Sequence, residues 1–150
     1  MLVFLMQEPT TVRDEVTIVH ADVSAGVPLI AVKINGSRPL SFLLDSGSTR
    51  MIVDRRLLRE LGLSASECVA VQGPVISRSW ACRVREPVAI EFDGTISDGY
   101  DFYALDLAAA ALALDRPVDG ILGAEFFDRF VVTIDYRASA VTAGARRWLE

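Results

Sequence analysis

The ten residues Leu40–Thr49, LSFLLDSGST, carry the strongest structural signal in this chain of 150 residues. A mostly apolar run leads into a carboxylate, Asp45, and small hydroxyl residues and a glycine follow it. Such a run predicts a buried β-strand. A carboxylate at the end of a buried strand has to be hydrogen-bonded, because an unpaired buried charge is costly. Gly47 lets the backbone approach that carboxylate closely. An ordinary turn capped by Asp45 is the alternative interpretation of DSGS.

Short β-like runs between turn residues make up most of the remaining chain. Asn35-Gly36 is the best hairpin signal, because both central residues of a type I′ turn need a positive φ. Asp54 can cap a helix that Gly62 then ends. The predicted helices are Arg55–Leu61, Ala108–Leu114 and Ala124–Arg129. The predicted strands are Glu15–His20, Leu29–Ile34, Leu40–Leu44, Val69–Val71, Val75–Val84, Val88–Phe92, Tyr100–Leu105, Val118–Leu122 and Val131–Tyr136. This pattern indicates a mainly β domain with small helices at its corners.

Composition and charge exclude several function classes. Fifteen basic against twenty acidic residues give a net charge of −5, which argues against a nucleic-acid surface. The longest apolar run, Leu107–Leu114, is far shorter than the ~20 residues that a membrane span needs. Cys68 and Cys82 could pair or stay free, and with His20 as the only histidine they make a poor metal site. We therefore expect no metal and no cofactor.

A second stretch, Val118–Phe130 (VDGILGAEFFDRF), changes the interpretation of DSGS. Alone, its two apolar residues before Gly123 indicate an ordinary buried strand with a tight junction to a helix. Together, the two stretches resemble the aspartic-protease pattern: apolar-apolar-Asp-Ser/Thr-Gly-Ser/Ala, followed later by apolar-apolar-Gly. Their order and spacing are similar to those of the single-lobe, retroviral-type (retropepsin-like) aspartic proteases and of their cellular and bacterial relatives. The resemblance covers roughly residues 27–141.

This resemblance implies a fold and an assembly. The fold would be a closed β-barrel of the acid-protease type with a few short helices. We expect the protease domain at 14–144, between an N-terminal arm or tail at 1–13 and a C-terminal tail at 145–150. Two carboxylates held ~3 Å apart share one proton and so can act as acid and base together. Because the chain has a single DSGS motif, the resemblance implies a homodimer that acts on a peptide or protein substrate.

The resemblance also assigns roles to the residues around Asp45, which would be the catalytic carboxylate of each subunit. Ser46 would hydrogen-bond across the dimer, where many relatives have Thr. Gly47 would donate its amide to the carboxylate, and Ser48 would bind the outer oxygen. The residues that would support this loop from behind are Ile121, Leu122 and Gly123.

The substrate cleft would have a floor and a flap. Ile121 and Leu122, together with Leu43, would be floor or wall residues. A flap hairpin would lie between the two motifs, although a plain surface hairpin is the alternative interpretation of that segment. The flap residues would be Gly73, Pro74, Val75 and Ile76.

Two functions are compatible with these motifs. One is an aspartic endopeptidase, and the other is a non-catalytic peptide-binding or regulatory domain that keeps the fold without turnover. The motif pair favours the enzyme. The Ser at position 46, where many relatives have Thr, is compatible with weaker catalysis and therefore with the second function.

Overall fold

A computed structural model of the chain describes residues 16–72 and 78–146. These residues form a mainly β structure, as the sequence predicts, with a 3-10 turn at Arg55–Leu57. The strands are β1 (Thr17–Asp22), β2 (Leu29–Ile34), β3 (Leu40–Leu44), β4 (Met51–Asp54), β5 (Ala65–Val71), β6 (Ser79–Val84), β7 (Val88–Phe92), β8 (Thr95–Tyr100), β9 (Phe102–Leu105), β10 (Gly120–Leu122), β11 (Phe130–Asp135) and β12 (Ala140–Ala145). The helices are α1 (Ala108–Leu114) and α2 (Ala124–Arg129). None of the helices in the described ranges is both long and apolar enough to cross a membrane.

The sheet is open, so the predicted closed β-barrel is wrong. Its strands follow the order β11-β12-β1-β2-β3-β10-β4-β9-β6-β5, and the β7–β8 hairpin branches from β2. Within the described residues, β11 pairs only with β12 and β5 only with β6, so the two ends of the path never meet. Closure requires the end strands to hydrogen-bond at a matching tilt and stagger. The alternation of side chains predicts strands but contains no information about that pairing.

Several elements occur at their predicted bounds. Strands β2, β3 and β7 and both α-helices begin and end where the sequence predicts. Asn35 and Gly36 have φ values of 47° and 75°, and the Ser37 amide donates to the carbonyl of Ile34 at 2.9 Å. Both central residues of this turn therefore have the positive φ that a type I′ turn requires, and the turn joins β2 to the antiparallel β3.

Other elements differ from the prediction. The helix expected at Arg55–Leu61 is only a 3-10 turn, although Asp54 caps it by accepting from the Arg56 amide at 3.0 Å and Gly62 has a φ of 66°. Irregular turns follow as far as Gly62, after which the Leu63 amide donates back to the Leu58 carbonyl at 2.8 Å and the Leu63 side chain is buried. The sequence did not predict β4, β8 or β12. Strand β4 pairs with the distant β9, whereas β8 and β12 form hairpins with the strands just before them, β7 and β11.

Two apolar clusters lie against the sheet. The larger one forms the main core and includes the fully buried rings of Phe42, Phe92, Phe102 and Phe126. The smaller one consists of Leu29, Ile52, Ala81, Leu105, Leu107, Val118 and Ile121. Cys68 and Cys82 lie opposite each other on β5 and β6 and form a disulfide, so of the two alternatives for these cysteines the structure contains the paired one.

Candidate active site

The two sequence motifs lie side by side at one edge of the sheet. Strands β3 and β10 run parallel, with Leu44 opposite Leu122. Asp45, the first residue after β3, donates its amide to the carbonyl of Leu122 at 3.1 Å. Parallel strands end at the same edge of a sheet, so Asp45 and Gly123 leave their strands together. The long-range pairing of β3 with β10 therefore brings the two motifs into contact.

The carboxylate of Asp45 is partly exposed and is held by its own loop. The Gly47 amide donates to Asp45 Oδ1 at 2.9 Å, which is the contact that the resemblance implies. The Ser48 amide donates to the Asp45 carbonyl at 3.1 Å and closes the turn. A Cβ atom on Gly47 would lie 3.1 Å from Asp45 Oδ1, so the glycine permits this close approach.

The hydroxyl groups of the loop have different surroundings. Ser48 Oγ donates to the carbonyl of Arg50 at 2.9 Å, rather than to the outer oxygen of Asp45. Within the described chain, Ser48 therefore stabilises the end of the loop. The side chain of Ser46 is exposed, at the surface where a second copy could reach it.

Gly123 lets the second motif pack directly on the backbone of the Asp45 loop. A Cβ atom at this position would overlap the Arg50 carbonyl oxygen and lie 2.7 Å from that of Ser48. The next amide, that of Ala124, donates to the Ser48 carbonyl at 2.8 Å. Because both neighbours are backbone atoms, they cannot move aside as a flexible side chain would. The loop is thus supported from behind by a glycine and a backbone hydrogen bond.

Asp119 ties three strands together, a role that sequence reasoning missed. Its Oδ2 accepts from the Ser41 amide at 2.8 Å, and its own amide donates to the Ser41 carbonyl at 2.8 Å. Its carbonyl accepts from the Asp54 amide at 2.7 Å. Asp119 precedes β10 and therefore lies at the opposite end of that strand from the Asp45 loop. In the sequence, Asp-Gly before an apolar run indicates only a turn, so no local signal could have revealed this contact.

Asp45 and Arg50 lie on the same apolar face of the sheet. Residues two apart on a strand share a face, so Asp45 is on the face of Leu43 and Arg50 on that of Ile52, and both of these residues are register neighbours of Ile121. The Arg50 guanidinium stacks over the ring of Tyr103, 5.0 Å from the ring centroid. This face, called the Asp45 face below, contains a row of residues that are neighbours in strand register: Leu43, Ile121, Ile52 and Tyr103.

The expected cleft residues divide between the two faces of the sheet. Leu43 is partly exposed and Ile121 nearly buried on the Asp45 face. Leu122 follows Ile121 and therefore lies on the opposite face, fully buried in the main core, where a substrate would not reach it. We assign Leu122 to the core, and its carbonyl to the support of Asp45. The expected flap residues, which lie outside the described residues, are Gly73, Pro74, Val75 and Ile76.

Helix α2, which follows Gly123, is anchored to β8 through Arg129. The Arg129 guanidinium lies 3.9 Å from the centroid of the Tyr100 ring, and its Nη2 donates to the Gly99 carbonyl at 2.8 Å. Burial raises the pKa of the Tyr100 hydroxyl, which forms a 2.8 Å hydrogen bond with Ser97. These contacts fix helix α2 against β8.

Comparisons with known proteins are consistent with this arrangement. Residues 30–126 match the pattern of a family described as aspartyl protease. A retropepsin-like aspartic protease from Rickettsia conorii is similar with a TM-score of 0.57 and 14% identity, over 87% of this chain and 91% of that one. The aspartic proteinase from Irpex lacteus has a TM-score of 0.52 and 12% identity, over 93% of this chain but only 49% of its own. The EIAV protease in complex with the inhibitor HBY-793 has a TM-score of 0.46 and 20% identity, over 68% of this chain and 86% of that one. No curated protein sequence matches.

Proposed function

The chain belongs to the aspartyl protease family, and we propose that it is an aspartic endopeptidase whose catalytic pair consists of Asp45 from each subunit of a homodimer. One observation carries this proposal. Asp45 stands partly exposed where β3 and β10 end together, and a backbone amide already binds one oxygen of its carboxylate. An exposed loop at a sheet edge can meet its own copy across a two-fold axis.

The proposed reaction needs both carboxylates at ~3 Å, where they share one proton. The ionised Asp45 takes a proton from a water molecule, whose oxygen attacks the carbonyl carbon of the scissile peptide bond. The protonated Asp45 gives its proton to the carbonyl oxygen and stabilises the tetrahedral intermediate. The Asp45 that took the proton from water then gives it to the amide nitrogen, while the other Asp45 takes a proton from a hydroxyl of the intermediate. The C–N bond breaks, a carboxylic acid and an amine leave, and the pair again shares one proton. The Gly47 amide holds one oxygen of the Asp45 carboxylate and so orients this group in its loop.

Two further observations support a dimer. The sequence contains a single DSGS motif, so one chain supplies a single carboxylate of this kind. The chain covers about half of the Irpex lacteus aspartic proteinase, and two copies would match the length of that enzyme. Retropepsin-like proteases are typically dimers, and a peptide or protein would be the substrate. We propose residues 14–144 as the protease domain, and its last described strand, β12, ends one residue later at Ala145.

Replacing the proposed catalytic carboxylate tests this function. Wild-type protein and Asp45→Asn would be incubated with a mixed peptide library at acidic and neutral pH, and products would be identified by mass spectrometry. We expect cleavage by the wild type and none by the variant, while circular dichroism and sedimentation show the same fold and dimer for both.

The matched control for this test is Asp115→Asn. Asp115 is exposed and has a φ of 49°, a conformation that Asn tolerates well, so this variant should retain full activity. Equal cleavage by Asp45→Asn and the wild type would refute the proposal. A stable wild-type monomer that binds peptides without cleaving them would identify a binding domain instead.

A further inference from the structure

Arg50 lies next to Asp45 on the Asp45 face, separated from it only by the strand position of Gly123. Strand β10 lies between β3 and β4, so the positions of Asp45 and Arg50 are two strand spacings apart, about 10 Å. At the Gly123 position the backbone of Ser48 and Arg50 packs directly on the glycine, so no side chain stands there between those of Asp45 and Arg50. An extended peptide bound at Asp45 could therefore lie within reach of the guanidinium of Arg50.

The Arg50 side chain is held in place, and no carboxylate among the described residues forms an ion pair with it. Its guanidinium stacks on the ring of Tyr103, a cation–π contact that limits its rotamers. The five ion pairs among the described residues use other cations, and Arg50 takes part in none of them. The carboxylate of Asp101, which lies between β8 and β9, is instead bound to Arg83 at 3.0 Å. Arg50 is thus an oriented and exposed cation without a carboxylate partner in the described part of the chain.

We propose that Arg50 determines substrate specificity by binding the side-chain carboxylate of an Asp or Glu residue in the substrate peptide. The planar guanidinium offers paired donors that match a carboxylate, which is why arginine recognises this group so often. In an extended peptide, with about 3.3 Å per residue, this acidic residue would lie roughly three positions from the scissile bond. This inference rests on the proposed function, because it concerns the same site and names its substrate class.

The negative net charge of the protein would by itself disfavour acidic substrates, which is the opposite of the preference proposed here. A chain with a net charge of −5 repels acidic peptides at long range, so it would not favour them without a local cation. A preference for acidic side chains would therefore point to a specific contact and not to a general attraction.

Matched peptides test this inference. A cleaved peptide from the library would be resynthesised with Glu, Gln or Lys at each of the four positions on either side of the cut. We expect the wild type to show a kcat/KM for Glu about tenfold above that for Gln at one of these positions, with Lys lowest. Arg50→Glu should reverse this order, and Arg50→Lys should keep the order with a smaller ratio because it loses the paired donors.

The matched control is Arg59→Glu, which makes the same charge change. Arg59 is exposed and lies beyond the far end of β4 from Arg50, so this variant should keep the wild-type ranking. If the wild type cleaves the Glu, Gln and Lys peptides equally, or if Arg50→Glu keeps the preference for Glu, the inference is wrong.

A binding assay separates this inference from the proposed function. Fluorescence anisotropy would compare the Glu and Lys forms of the library peptide that binds Asp45→Asn most tightly, with and without Arg50→Glu in the same protein. If the wild type cleaves no peptide but Glu forms bind more tightly through Arg50, the contact is correct and the proposed hydrolysis is wrong. If neither cleavage nor this binding preference occurs, both proposals fail.

Discussion

The amide of Asp45 and the carbonyl of Leu122 form a 3.1 Å hydrogen bond that joins two motifs distant in the chain. This bond extends the parallel pairing of β3 with β10 by one residue, so the proposed catalytic loop begins where the ladder ends. The position of Asp45 therefore depends on the position of β10. Substitutions that displace β10 should affect the site even when they lie far from the carboxylate.

If each active site takes one Asp45 from each subunit, the inactive variant Asp45→Asn should inhibit the wild type by forming mixed dimers with it. An equimolar amount of Asp45→Asn would be added to a fixed amount of wild type and left for subunit exchange. The activity should fall to about half, because half of the wild-type subunits then lie in mixed dimers with a single Asp45. The measurement is the initial rate of peptide cleavage as the fraction of variant is raised. Adding Asp115→Asn under the same conditions should not lower the rate. A rate that stays constant with Asp45→Asn would show that each chain works alone.

Gly120→Ala should destabilise the fold. Its Cβ would overlap the Phe42 ring and lie 2.6 Å from the carbonyl oxygen of Ile52, and neither neighbour can move without disturbing the core. We expect a loss of about 1–3 kcal/mol in the free energy of unfolding, measured by urea denaturation. Gly144→Ala is the matched control in another strand, because its added Cβ would meet only a methyl group of Val16, at 3.4 Å. Similar losses for both variants would contradict the clash as the cause.

Asp119 should matter for stability and not for chemistry. Asp119→Ala removes the acceptor of the Ser41 amide and should cost about 1–3 kcal/mol, whereas Asp119→Asn keeps an acceptor oxygen and should cost less. Urea denaturation measures both values. At a temperature where each variant is folded, cleavage per folded molecule should match the wild type. A complete loss of cleavage in folded Asp119→Asn would instead place Asp119 in the reaction.

The Cys68–Cys82 disulfide should stabilise the β5–β6 hairpin. It closes a loop with a sequence separation of 14, for which the restriction of the unfolded chain is worth about 3 kcal/mol. The double variant Cys68→Ser, Cys82→Ser should therefore unfold at lower urea concentration than the oxidised wild type. A reductant should lower the midpoint of the wild type and leave that of the double variant unchanged. If a reductant also lowered the unfolding midpoint of the double variant, its effect on the wild type could not be assigned to the disulfide.

Local pattern predicted those parts of the fold that depend on neighbouring residues. The Asn35-Gly36 turn, the Asp54 cap and the bounds of both α-helices follow from backbone preferences within a few residues. Strand β8 was missed because its sequence, TISDGY, is largely polar, although Asp93 and Gly94 before it have the positive φ values of a hairpin turn, as Asn35 and Gly36 do. The open sheet was missed because strand alternation does not specify which strands hydrogen-bond.

The candidate site shows the same division. The sequence singled out Asp45, Gly47 and Gly123 only because the two motifs together resemble the aspartic-protease pattern, since each motif alone indicates an ordinary turn or strand. The structure brings the three residues together, and the catalytic role of Asp45 stays a prediction. Only the tertiary structure revealed that Leu122 belongs to the core, that Asp119 ties three strands together and that Arg50 shares a face with Asp45. These facts depend on which strands become neighbours and in what register, which is decided by packing between distant parts of the chain.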